Sequence, residues 1–264
     1  MTSKPPRWDL SNVYPGLDSA ELAKDFEWVR SATEALRQHY QEALVPVDAS
    51  SPPESINQAV SSMIDKMNVL YVKAATINAY LNSFVSTDSY NQEAMRMDSQ
   101  FDQVMVEIHK VNVLLEAWIG QIKDQLPEAL ALGGSAQAHT FPVMEIAEQS
   151  QYLMSEKEEI LSSELSLSGA NAWSKLQGTV TSQKTVEFEL DGKVQTLPMP
   201  ALINLHGHPD EDVRKRAYAA EFEAWESIKE PLAASMNGVK GWVNTLNKHR
   251  GRVDAMHAPI DQAR

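Results

Sequence analysis

Two apolar series constrain this sequence more than any other feature. Ile56, Val60, Met63, Met67, Leu70, Ala74, Ile77, Leu81 and Phe84 recur at alternating steps of four and three. After the polar stretch 86–89 the pattern returns as Met97, Phe101, Val104, Ile108, Val111, Leu115, Trp118, Ile122 and Leu126. Such steps keep one helical face apolar, so each series predicts a helix of roughly 50 Å at about 1.5 Å per residue. A repeat averaging about 3.5 residues makes a straight seam that requires a partner helix. The short link between the series makes antiparallel packing against each other the simple solution. Glycine is scarce, 11 in 264 residues, which suits long uninterrupted helices. Several methionines lie along the seams. Their flexible thioethers read as core filler rather than as an adaptable binding surface.

Flanking elements follow from caps and breakers. Asp18 and Glu21 read as an N-cap and N3 pair opening a first helix. Leu22, Phe26, Val29, Leu36 and Tyr40 mark its apolar face, and Pro46 ends it. Ser51, Pro52 and Glu54 read as the start of the second helix. Beyond Leu126 the helices shorten, punctuated by Pro127, Gly133-Gly134 and Pro142. Ser155 and Glu158 form a capping box for a segment through Leu165, and Ser168 reads as the cap of a helix containing Trp173 and Leu176. The one β signal is a hairpin over 184–197. Lys184–Leu190 alternates, Asp191-Gly192 is a favoured two-residue turn, and Lys193–Leu197 returns. A strict two-residue turn sets Leu190 opposite Lys193, so a bulge is expected. A lone hairpin is marginal, so this one is expected to pack on helices or line a cleft. Pro200–Leu205 reads as a short helix. Asp210 then opens a long segment through Lys248, interrupted at Pro231.

The fold class is therefore mainly α, with long antiparallel helices and one small β-hairpin. The expected division is a long-helix hairpin region over 1–130 and a helical region with the hairpin over 131–264. The length and a hydrophobic content of 43% suffice for a substantial core.

Charge and composition exclude several function classes. The formal charge is −13, from 36 acids and 23 bases, which disfavours nucleic acid and anionic membrane as partners. The basic runs Arg214–Arg216 and Lys248–Arg252 read as solvated helix faces. Cysteine is absent, so disulfides, zinc knuckles and thiol catalysis are excluded. Residues 1–10 hold no apolar signal-peptide core, and no window approaches the roughly 18 apolar residues of a membrane span. A cytoplasmic location is the expectation.

No catalytic, metal-binding or substrate-binding residue can be assigned from motifs. The seven histidines are His39, His109, His139, His206, His208, His249 and His257. None begins a His-Glu-x-x-His. His206-Gly-His208 comes nearest to a metal pair, but it supplies two ligands where zinc takes at least three from protein. His109 reads as a hydrogen-bonded helix residue. No G-x-S-x-G elbow occurs, and Ser168 in Leu167-Ser-Gly-Ala-Asn171 is better explained as a cap. Neither phosphate-cradling glycine motif is present. The acid pairs Glu158-Glu159 and Glu221/Glu223 read as solvated faces.

Five segments, in order, resemble oligoendopeptidase F. They are Trp8-Asp-Leu-Ser-Asn-Val-Tyr14, Leu153–Leu161 followed by Ser168–Leu176, the hairpin around Asp191-Gly192, Pro209–Tyr218, and Asn247-Lys-His-Arg-Gly251. Together they span nearly the whole chain. The resemblance implies an almost wholly helical, two-lobed zinc metallopeptidase related to thimet oligopeptidase, with a deep channel that admits short peptides and excludes folded proteins. It also implies zinc on two histidines of a His-Glu-x-x-His helix and a later Glu, with the motif's Glu activating the bound water. Those residues belong to the C-terminal part of the family, and none maps onto a position here. The resemblance thus implies an N-terminal lobe, lacking the catalytic half and binding no zinc alone. An end at Arg264 without a terminating element suits a truncated or partial product. The alternative is a stand-alone helical module that binds peptides or scaffolds.

Overall fold

The computed structural model describes residues 9–263. Trp8, the first residue of the family-like opening, lies outside them. The chain divides into two compact units, one ending at Glu164 and the other beginning at Leu165.

The first unit is built on three helices: α1 (Ala20–His39), α2 (Pro53–Thr87) and α3 (Gln92–Gln121). They pack on one another in all three pairings. The apolar seams face inward as their spacing requires. Ile56, Val60, Met63, Leu70, Ala74, Ile77 and Leu81 of α2 are buried, as are Phe101, Val104, Ile108, Val111, Leu115 and Trp118 of α3. Leu22, Phe26, Val29 and Leu36 of α1 join the same core, where Phe26 meets the Phe101 ring edge-on at 5.1 Å. The α3 series outruns its helix. Ile122 terminates α3, and Leu126 is buried from the next helix, α4 (Leu126–Leu130).

Two starts in this unit differ from the sequence reading. Ser19, not Asp18, caps α1, its hydroxyl accepting from the Leu22 N–H at 3.3 Å. Ser51 does not cap α2. Its hydroxyl accepts from the Asp48 N–H at 3.0 Å in the preceding turn, and Pro52 stands at the helix boundary. After α1 the chain widens into a π-turn over Tyr40–Leu44, closed by the Val45 N–H on the Tyr40 carbonyl at 3.0 Å. This turn delivers Leu44 fully buried into the core.

α4, α5 (Gly134–Ala138) and α6 (Thr140–Gln149) fold back onto the long helices. α4 and α5 lie on α2, and α6 lies on α3. Asn57 of α2 holds their linker, donating to the carbonyls of Ala129 at 2.9 Å and Gly133 at 3.0 Å. For this reason the first unit continues well past residue 130. α7 (Glu156–Ser166) opens on the expected capping box: the Ser155 N–H donates to Glu158 at 3.0 Å and the Glu158 N–H to the Ser155 hydroxyl at 3.4 Å.

The second unit contains α8 (Ala170–Gln183), β1 (Thr185–Leu190), β2 (Lys193–Pro198), α9 (Met199–Asn204), α10 (Glu211–Ser227), α11 (Lys229–His249) and α12 (His257–Gln262). The two strands pair antiparallel with Leu190 opposite Lys193, so the expected bulge does not occur. Asp191 and Gly192, at φ 53° and 73°, turn the chain in the left-handed region. Phe188 is buried and packs with Met199 and Leu202 of α9 and Val213, Ala217 and Ala224 of α10. Asp210 caps α10 by accepting from the Asp212 N–H at 2.9 Å. The break before α11 falls at Ile228, which places Pro231 in the first turn, where a missing N–H costs nothing. Ser168 does not cap α8. Its hydroxyl donates to the Leu165 carbonyl at 3.3 Å, and Gly169 takes the cap position.

α8 and α11 pack through reciprocal glycine–tryptophan contacts. A Cβ on Gly169 would stand 2.7 Å from Trp242 Cε3, and one on Gly238 would stand 2.5 Å from Trp173 Nε1. Each tryptophan occupies the space that a side chain would need. Among the described residues, no helix is long and apolar enough to cross a membrane.

Candidate functional site

The histidines are dispersed. His39 lies 2.9 Å from the Ser62 hydroxyl, and burial, reinforced by Lys66, lowers its pKa. His109 and His249 are exposed on α3 and α11. His257 Nε2 is 3.6 Å from Asp261. The His206-Gly-His208 pair diverges. His206 Nε2 reaches Glu221 at 3.0 Å, whereas His208 Nδ1 accepts from the Asp210 N–H at 3.1 Å. Among the described residues, no three His, Cys, Asp or Glu side chains form a group able to hold a metal ion.

Several charged residues read as solvated faces have structural partners instead. Glu159 is buried and accepts from the Met154 N–H at 3.1 Å, securing the turn before α7. Glu221 uses both oxygens, one toward His206 and one accepting from Trp225 Nε1 at 2.9 Å. Arg214 donates to the carbonyls of His208 at 2.7 Å and Pro209 at 2.9 Å. Arg216 donates to the Glu189 carbonyl at 2.8 Å and lies over the Phe188 ring. Arg252 is paired with buried Asp261. Apart from the i,i+4 bond between Glu221 and Trp225, these contacts are long-range or loop-specific, so no local pattern announced them.

One polar cluster of the first unit ties the opening segment to α1 and α2. Asp25 accepts from the Tyr14 hydroxyl at 2.9 Å and from Lys73 at 2.8 Å. Burial opposes the charge on Asp25, but the bonds from Lys73 and Tyr14 outweigh it and hold the carboxyl below its ordinary value. Burial and then Asp25 push the Tyr14 phenol up. The Tyr80 hydroxyl donates to the Tyr14 carbonyl at 3.1 Å, and the two rings meet edge-on at 5.0 Å. Tyr14, Asp25, Lys73 and Tyr80 are thus tied to one another, which makes the cluster a structural lock.

Two clefts open on the same unit. One, about 1000 Å³, lies between the opening segment and the end of α2, with Asp9, Ser11, Ser83, Thr87 and Asp88 on its walls. Part of this lining is bonded locally: Asp9 accepts from the Ser11 N–H at 2.9 Å, and the Thr87 hydroxyl donates to the Ser83 carbonyl at 2.7 Å. The other, about 350 Å³, lies between α1 and α3. Its Arg37 is paired with Glu107 at 2.9 Å, so its positive charge is already compensated.

The sequence matches no protein-family profile and no curated protein. Its fold does match solved structures. Oligoendopeptidase-F from Enterococcus faecium superposes over 91% of this chain with a TM-score of 0.77 at 14% identity. A Chlamydophila abortus protein described as a "putative peptidase" covers 96% of the chain at a TM-score of 0.50 and 13% identity. The chain spans 46% and 41% of the lengths of these two proteins. The shared fold is the mainly helical one with a small hairpin.

Proposed function

We propose that this chain is the N-terminal lobe of an oligoendopeptidase F-like zinc metallopeptidase that hydrolyses short peptides. The observation that carries this reading is the fold likeness to Enterococcus faecium oligoendopeptidase-F over 91% of the chain and under half of that protein. The order of the family-like segments supports it. In this reading the lobe forms part of the channel wall that sieves short peptides, and its partner is a C-terminal catalytic half. The protein works in the cytoplasm.

Zinc, in this reading, polarises the scissile carbonyl and lowers the pKa of its bound water. The described residues of this chain do not fit that ion, since His206 and His208 serve separate partners and no three-ligand group forms. No catalytic step is therefore assigned to them.

The purified chain is expected to bind no stoichiometric zinc and to leave quenched fluorescent peptides uncut. The decisive observation is the complete reading frame that contains this chain. A His-Glu-x-x-His downstream, with one zinc and peptide cleavage in the complete protein, supports the proposal. A complete frame lacking that motif sinks it and leaves the non-catalytic binding module. One zinc on this chain, lost in His206→Ala, also overturns the assignment.

A further inference from the structure

We propose that a hollow between α2, α3 and α6 binds a neutral aromatic group of one or two rings. The hollow measures about 230 Å³ and lies wholly within the first unit. Met63, Leu115, Ile119 and Val143 are buried along its floor, and half-buried Met67 and Tyr71 form its sides. Asn68 and His139 stand among its lining as the polar groups.

Four observations fix the ligand class. First, no Lys, Arg, Asp or Glu lines the hollow, so a charged guest would lose its hydration without compensation. Second, Asn68 and His139 of the lining bond to each other. The carbonyl of Ser135 receives His139 Nδ1–H at 2.8 Å, which leaves Nε2 to accept from Asn68 Nδ2 at 3.4 Å. A trapped water needs two to four polar partners, and both ring nitrogens of His139 are already engaged. Third, the volume suits a ring, since a dry apolar cavity of about 150 Å³ accommodates benzene. Fourth, two methionines and a tyrosine supply thioether–ring and ring–ring contacts, and methionine adapts its shape to the guest.

The inference rests on these contacts alone and is independent of the peptidase reading. The aromatic group could arrive as a free small molecule or as a side chain of a peptide. Indole and N-acetyltryptophanamide represent the two sources. The test uses the whole chain labelled at methionine methyls and observed by NMR. Either probe is expected to shift the Met63 and Met67 signals saturably while leaving Met199 and Met236 in place. Indole alone doing so assigns a free molecule, and the amide doing so assigns a peptide side chain. Met67→Trp, which fills the hollow, is expected to weaken binding at least about tenfold. Ile64→Phe serves the same purpose if the tryptophan variant does not fold. Absence of any shift with both probes, equal non-saturating shifts at all methionines, or unchanged affinity in a folded filling variant overturns the proposal.

Discussion

The two units bury their helices very differently. In the first, one continuous core runs from Tyr14 to Ala147 and takes in every long helix. In the second, the connected core is Phe188, Met199, Leu202, Val213, Ala217 and Ala224, confined to the hairpin, α9 and α10. α8 has no buried residue, and the buried residues of α11 are the polar Ser235 and Asn247. Leu176, Met236 and Val243 remain exposed there. A helix can thus be specified locally and held by one neighbour without contributing to a core.

The sharpest way to break this comparison is to excavate the larger core. Phe101→Ala is expected to cost roughly 3–5 kcal/mol in the first unit. Hydrogen exchange is expected to show lost protection in α1–α3 with the hairpin and α10 unchanged. Equal loss in both units would mean that they fold as one.

The converse perturbation is Gly238→Val, which drives a side chain into Trp173. Overpacking of this kind typically costs about 1–3 kcal/mol. Altered tryptophan emission and faster exchange in α8 and α11, with α2 and α3 protected as before, is the expected pattern. An unchanged exchange map would show that the glycine–tryptophan contacts contribute nothing.

Acid distinguishes the units more gently. Asp25 and Glu107 both ionise below their ordinary range in the fold. At each, burial raises the pKa and is outweighed, by Lys73 and Tyr14 at Asp25 and by Lys110 and Arg37 at Glu107. A depressed folded pKa contributes stability above the unfolded value, about 4 for a carboxylate, and loses it as pH falls through the folded value. The first unit is therefore expected to weaken below about pH 4, and Asp25→Asn to flatten that dependence in urea titrations. A steeper dependence in the variant would contradict the lock described for Tyr14, Asp25 and Lys73.

The smallest effects belong to the caps. Ser19→Ala and Asp210→Ala are each expected to cost about 1 kcal/mol, the first only in the first unit and the second only in the second. Thermal melts of both variants, followed by exchange, measure this. A loss shared by both units would again argue for a single folding body.

The sequence disclosed the long helices because alternating four and three steps report burial on one face directly. It disclosed the hairpin turn because Asp191-Gly192 tolerates φ values that other pairs resist. The caps at Ser19 and Gly169 were less legible. Adjacent Asp18 offers an oxygen as suitable as that of Ser19, and the choice depends on which one the folded chain brings to an N–H; at Gly169 no side chain caps the helix at all. The buried ionic groups were not legible at all. Glu159, Glu221 and Arg252 resemble ordinary surface residues until Met154, His206 and Asp261 come alongside. The hollow beneath His139 was hidden for a different reason. Met63 and Met67 satisfy a core pattern whether or not the space beside them is filled.

The glycine–tryptophan contacts between α8 and α11 also bear on how this chain can evolve. Gly238 can grow only where Trp173 shrinks, and Gly169 only where Trp242 does. Among descendants that keep the helix pair, each couple is expected to drift together, so a lone substitution at either position marks a lineage in which the two helices have parted.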